Sequence, residues 1–163
     1  MHTPENIRPK KKYMRAAIRM AQKGMDLNEG GPFGAVIVRE NEIVAKAYNR
    51  VIKTNDPTAH AEILAIRKAS KKLGRFDLSD CEIFSTCEPC PMCLGAIIWA
   101  KIKTLYYGCT KEDADRIEFS DKVIYESFTV PPENRIIQSI QMEHDACLPL
   151  FEAWEQKEDK VRY

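Results

Sequence analysis

Two short stretches constrain this chain more tightly than anything else in it: DPTAHAEILAIR at residues 56–67 and TCEPCPMC at residues 86–93. Each reads as the start of a helix after a loop, and each brings metal-binding side chains to that start. In the second stretch Pro91 sets the geometry. Proline is favoured at the first helical position because its missing N–H would be unpaired there in any case. Cys90 is then the N-cap and Cys93 lies in the first turn, both beside unpaired backbone N–H groups, which lower a thiolate's pKa and suit a metal ligand. Cys87 precedes this turn, on the far side of Pro89, and is not expected to point the same way. His60 falls in the first turn of the other helix. Glu62 is two residues on, a spacing that separates side chains around a helix, so it is a poor co-ligand and a well-placed neighbour. Two thiolates and one imidazole are three protein ligands. Zinc sites with three keep the fourth position for water, whereas structural sites close all four. The count points to a catalytic zinc.

Each half of this pattern is weak alone. A lone histidine at such a position more often caps a helix or fills a core, and a lone C-x-x-C is shared with redox and structural sites. Cys87, Cys90 and Cys93 also match the spacing of an iron–sulfur run. That run requires a fourth cysteine and a proline four residues later, where this chain has Ile97 and Ile98. Together, H-x-E and P-C-x-x-C are far more specific, and the pair resembles the signature of the zinc deaminases.

The rest of the chain reads as one α/β domain. Residues 1–12 are polar, basic and proline-containing, a flexible lead-in to a domain over 13–163. Tyr13 to Met25 is an amphipathic helix with Ile18, Ala21 and Met25 on its apolar face, ended near Gly24. Ala35–Arg39 and Glu42–Asn49 form a hairpin through Glu40-Asn41, and RVIKTNDP is a loop. A helix follows from about Thr58 to Leu73, closed by Gly74. Then come a strand Cys81–Thr86, a helix Pro91–Lys101 and a strand Thr104–Cys109. This alternation is the signature of a parallel sheet with helices packed on it. Past Gly108 the pattern weakens: EDADRI and SDKVIYES read as short helices, IQSIQM as a last strand, and Pro149 to Lys160 as a final helix with Leu150, Phe151 and Trp154 on one face.

Composition narrows the partners. A formal net charge of +1 gives no general field for polyanions and counts against a nucleic-acid partner. The longest apolar run, Leu94–Ala100, is far too short to span a membrane, and the first 25 residues have no apolar core of a secretory signal. A cytoplasmic location is therefore expected, where the six cysteines are better read as metal ligands and buried small residues than as disulfides.

On these residues the chain resembles the cytidine-deaminase-like superfamily, and within it the bacterial guanine deaminases. The likeness runs through GGPFGAVIV (Gly30–Val38), Asn49, NDPTAHAE (Asn55–Glu62), CEPCPMCLGAI (Cys87–Ile97), Trp99–Ala100, FSDKVIY (Phe119–Tyr125) and the C-terminal Tyr163. It implies a three-layer α-β-α sandwich around a mixed, mostly parallel five-stranded sheet, with one zinc per chain held by His60, Cys90 and Cys93. It also implies hydrolysis of guanine at C2 to xanthine and ammonia, with zinc-bound hydroxide as nucleophile and Glu62 as proton shuttle. Asn49 corresponds to the family's base-orienting amide, Phe33, Ala61 and Trp99 to its substrate contacts, and Asp121 to an aspartate near the exocyclic amine. Finally, the resemblance implies a homodimer in which the C-terminal segment crosses over and Tyr163 closes the partner's site. The nearest alternative is a tRNA adenosine deaminase, which shares the NR…DPTAHAEI stretch. That family expects a basic C-terminal helix for the RNA backbone, whereas FEAWEQKEDKVRY carries both signs. Deamination of guanosine or another nucleoside is a further alternative. A non-catalytic zinc module is the alternative from another class, and it would use Cys87 as a fourth ligand.

Overall fold

The structure, a computed structural model, describes residues 10–162, so the expected lead-in up to residue 9 and Tyr163 lie outside the described residues. Strands β1 (Gly34–Arg39) and β2 (Glu42–Tyr48) form the expected antiparallel hairpin. Glu40 and Asn41 have φ of 50° and 63°, the left-handed pair that a two-residue turn needs to match the twist of its strands. Strand β3 (Cys81–Cys87) lies antiparallel beside β1, and β4 (Thr104–Cys109) lies parallel beside β3, giving the order β2-β1-β3-β4.

This corrects the expected sheet in two respects. The sheet is mixed as expected, but only the β3–β4 pair is parallel. The connection from β2 to β3 passes over β1, so β3 keeps the direction of β2 and meets β1 head to tail. Among the described residues the sheet also has four strands rather than five. Residues 137–142, IQSIQM, the expected last strand, take no regular structure, and all are exposed. A strand-like stretch does not by itself supply a neighbour to pair with.

Helix α1 (Lys11–Asp26) covers one face, where Tyr13, Ala16 and Ala17 pack with Val36, Val38 and Phe84. Its start takes in the last residues of the expected lead-in, and Lys10 pairs with Glu82 and Tyr106. The buried side is Tyr13, Ala16, Ala17, Ala21 and Gly24, not the expected stripe through Ile18 and Met25. Small residues win this contact because the helix sits almost on the backbone of β1. A Cβ on Gly34 would lie 2.1 Å from the Ala17 carbonyl oxygen. Ile18 and Met25 instead line an apolar cavity of about 330 Å³ with Met14, Phe33, Cys87 and Ile117.

The opposite face carries α3 (Ala61–Leu73) and α4 (Pro91–Trp99), reached through a short helix α2 (Val51–Thr54). Ala61, Ala65, Ala69 and Ile97 close over Ala35, Ile37, Ala47 and Ile83. Fully buried residues such as Ile37 and Ile83 contribute about 1.5–3 kcal/mol each by leaving water. Gly74 ends α3 with φ 67° and its N–H bonded to the Ser70 carbonyl, the expected left-handed cap. After β4 comes α5 (Lys111–Asp115), started by a reciprocal capping box between Thr110 and Asp113.

The described chain divides into two compact units, the first ending at Asp121 and the second beginning at Lys122. The second contains α6 (Lys122–Thr129), a 3₁₀ turn at Pro132–Asn134 and α7 (His144–Gln156). Helix α7 begins five residues before the expected start and carries Pro149 in its interior. Among the described residues no helix is long and apolar enough to cross a membrane.

Candidate active site

The path into α3 is built by a local turn. Asn55 leaves α2 with φ 50°, and the Asp56 carboxylate accepts from both the Thr58 N–H (2.8 Å) and the Thr58 hydroxyl (2.7 Å). The Arg50 N–H donates to the Ala59 carbonyl at 3.0 Å, pinning the exit of β2 beside this turn. His60 then occupies the N-cap of α3 in extended conformation, since the helix starts at Ala61 rather than near Thr58, and its side chain caps nothing. The imidazole is thus left free to point away from its own helix. Ala61, expected at the substrate, is the first helical residue. Its methyl is fully buried in the core, so only its backbone is left to meet a ligand, and a first-turn N–H has no intrahelical acceptor.

Cys90 is the N-cap of α4 and Pro91 its first residue, as their order demands. The two helix starts meet. His60 Nδ1 lies 3.6 Å from Cys90 Sγ and 3.5 Å from Cys93 Sγ, and the ligand atoms of all three residues fall within 4.8 Å of one another. Tetrahedral zinc with Zn–S near 2.3 Å and Zn–N near 2.0 Å places sulfur and nitrogen about 3.5 Å apart. The donor set therefore fits a zinc ion in both chemistry and spacing. Hydrogen bonding with Cys93 and with His60 pulls the Cys90 pKa down to about 4 against the cost of burial. The same contact, with burial and the nearby Glu62 carboxylate, pushes Cys93 up. His60 is raised chiefly by its hydrogen bond to Cys90, in opposition to burial. Cys87 stands apart. It ends β3 opposite Cys109, donates to the Thr110 carbonyl at 3.5 Å and, mainly through burial, has its pKa pushed up to about 11. It lies outside the three-residue group, which leaves no fourth cysteine to close the site.

Glu62 is 4% exposed. Its Oε1 accepts from the Ser85 hydroxyl at 2.7 Å and its Oε2 from the Cys93 thiol at 3.4 Å. It sits against the metal-binding group without belonging to it. Ser85 had no place in the sequence reading. One signal was available: alternation along β3 puts Cys81, Ile83 and Ser85 on the same buried face, so a hydroxyl interrupts an apolar row.

Asn49 is 5% exposed just past β2. Its Oδ1 accepts from the Val51 N–H at 3.2 Å, so the side chain's donors are aimed by a bond to its own loop. Gly30 packs directly on it, since a Cβ there would lie 2.3 Å from both Asn49 oxygens. Both neighbours of Asn49 are held by one carboxylate missed in the sequence. Glu29 Oε2 accepts from the Tyr48 hydroxyl and from Arg50 Nε, each at 3.0 Å. Burial opposes ionisation of Glu29, but these two donors and Lys53 hold its pKa below the usual carboxylate range.

The remaining expected contacts divide. Phe33 meets Phe119 edge to face, with ring centroids 5.0 Å apart, so the ring beside Phe33 is Phe119. Trp99 ends α4, the opposite end from Cys90 and Cys93, and is 67% exposed. Asp121 is half-buried, and burial together with the Cys90 thiolate raises its pKa. Tyr163 lies outside the described residues.

Comparison with known proteins agrees with this chemistry. Residues 7–109 match the cytidine and deoxycytidylate deaminase zinc-binding region. Guanine deaminase of Bacillus subtilis (strain 168) is 44% identical over 151 residues, which span 93% of this chain and 97% of that protein. Its crystal structure superposes with a TM-score of 0.91 over 94% of this chain and 98% of that one. The structure of guanine deaminase from Nitrosomonas europaea is 31% identical with a TM-score of 0.63, covering 75% of this chain and 67% of that chain. A tRNA-specific adenosine deaminase of Aquifex aeolicus (strain VF5) is 41% identical over 99 residues, 61% of this chain and 65% of that protein. The family match spans more than half of the chain and contains every residue of the metal-binding group. This chain belongs to the cytidine and deoxycytidylate deaminase family of zinc-binding domains.

Proposed function

We propose that this chain hydrolyses guanine at C2, converting guanine and water to xanthine and ammonia. The observation that carries this reading is the near full-length likeness to the B. subtilis guanine deaminase. That likeness extends past residue 109, where the general family match ends, and so takes in the region of Phe119 and Asp121. One zinc per chain, held by His60, Cys90 and Cys93, supplies an activated water at its fourth position when bound. Glu62 would take a proton from that water and pass it to a ring nitrogen as the C2–O bond forms, then take the proton of the new C2 hydroxyl and give it to the amine as the C2–N bond breaks. Asn49 donates to the edge of the ring, and Phe33 with Phe119 bounds the base on one side. Asp121 accepts from the exocyclic amine that becomes ammonia.

The direct test is ammonia release from guanine, guanosine, adenine, cytosine and tRNA side by side. Guanine is expected to be the preferred substrate, and Asp121→Ala to lower kcat/KM for guanine about tenfold or more by removing a charge-assisted hydrogen bond. Higher turnover of tRNA, or unchanged guanine kinetics in Asp121→Ala, would overturn the assignment.

The chain is further proposed to act as a homodimer with exchanged C-terminal segments, Tyr163 closing the partner's site. What supports this is the second unit taken alone. None of residues 122–162 is buried, and Phe128, Ile136, Ile137, Ile140, Met142 and Phe151 are 71–75% exposed. So much apolar surface calls for a cover, and exchange of an identical element is a low-cost route to a dimer. Co-refolding equal amounts of Glu62→Ala and a chain lacking residues 159–163, each inactive alone, is expected to restore about a quarter of wild-type sites through random two-fold pairing. A mixture that contains mixed dimers and stays inactive would refute the exchange.

A further inference from the structure

We infer that Ser85 is the positioning residue for Glu62, anchoring Oε1 so that Oε2 is the oxygen that carries protons during turnover. The inference rests on the proposed deamination, since it assigns a role within that reaction.

Ser85 is wholly buried in β3, paired with Ala35 of β1 on one side and Tyr107 of β4 on the other. Its strand neighbours on the same face, Cys81 and Ile83, belong to the apolar core under α3 and α4. A hydroxyl in such a row costs free energy unless it is hydrogen-bonded, and an alanine or valine would satisfy the packing. The hydroxyl instead reaches a carboxylate on another element, 23 residues away in sequence, at 2.7 Å. That contact is a charge-assisted O–H···O⁻ bond of ordinary short length. The second contact of Glu62 is with the Cys93 sulfur, 3.4 Å from Oε2, and a zinc-binding thiolate there has no proton to donate. The two oxygens are therefore unequal. Oε1 is tied to the sheet, whereas Oε2 lies on the side of Cys93 and its metal-binding group. A carboxylate on a long side chain that must meet a water, a ring nitrogen and an amine in turn gains from having one oxygen held, because loss of a near-attack geometry by about 1 Å can cost on the order of a hundredfold in rate. The anchor comes from a strand, so α3 and the sheet jointly set where Oε2 stands.

The test compares wild type, Ser85→Ala and Ser85→Thr with guanine as substrate, together with metal content and melting temperature. Wild type must first deaminate guanine; an inactive wild type refutes the proposed function and not the anchor. With an active wild type, Ser85→Ala is expected to lower kcat about ten- to hundredfold, with KM within about twofold, one metal per chain and a near-native melting temperature. Ser85→Thr, which keeps the hydroxyl, is expected to recover most of kcat. Wild-type kcat in Ser85→Ala would overturn the inference. So would a loss confined to KM, a loss that tracks metal or melting temperature, or a folded Ser85→Thr as slow as Ser85→Ala.

Discussion

Glu62→Ala is expected to retain its metal and its fold and to lose turnover by about a thousandfold or more. General acid–base groups typically contribute about 10²–10⁴ in rate, and here a single carboxylate serves several proton transfers in turn. The residue is buried at 4% exposure, and both of its oxygens face groups of the site, Ser85 and Cys93. Among the described residues no other carboxylate shares this position. Substitution by alanine removes a buried charge but leaves the Ser85 hydroxyl without its acceptor, at a cost of about 1–3 kcal/mol, so a modest fall in melting temperature is expected. Glu62→Gln keeps the shape and an acceptor for Ser85 and separates the two effects: near-native stability, with kcat still reduced to the level of the alanine variant. Steady-state ammonia release, elemental analysis and thermal melts decide it. A Glu62→Gln enzyme with near-normal kcat would mean that another residue moves the protons.

The second expected result is a division among the cysteines. Cys90→Ala and Cys93→Ala are expected to lose bound zinc and with it essentially all activity, because each removes one of only three ligands within 4.8 Å. Cys87→Ala is expected to keep one zinc per chain. Its thiol is turned toward the Thr110 carbonyl and is raised to a pKa of about 11, mainly by burial, which suits a packed thiol and not a metal-binding thiolate. Metal analysis of the three purified variants after dialysis reads the outcome directly. Melting curves give a second measure, since a metal bound only to the folded state raises its stability by mass action. Equal zinc loss from Cys87→Ala and Cys90→Ala would show a closed four-ligand site and end the case for catalysis at an open position.

Much of this site was legible in the chain because its signals are local. Proline at the first position of α4 sets Cys90 as N-cap without help from the rest of the fold. The Asp-Pro-Thr turn delivers His60 to the start of α3 through hydrogen bonds that span two residues. Glu40-Asn41 makes its hairpin turn by backbone preference. Such features depend on neighbours in sequence, and reading neighbours is enough.

What the sequence did not reveal depends on residues far apart. The face α1 buries was misjudged because hydrophobicity favoured Ile18 and Met25, while close approach to Gly34 demanded alanines. The fifth strand was expected at IQSIQM, but a strand exists only with a partner edge, and no local pattern supplies one. Phe119 comes to Phe33 from a separate element, a pairing that no single stretch of sequence announces. Ser85 and Glu29 are ordinary residues in sequence and acquire a role only from what stands opposite, a carboxylate 23 positions away for one and the flanks of Asn49 for the other. By itself the sequence determined that His60 and Cys90 stand at two helix starts, because capping and turn chemistry are short-range. Only the tertiary structure decided which groups hold those side chains in place, because a hydrogen bond across a sheet or between helix and strand is written in no single stretch of chain.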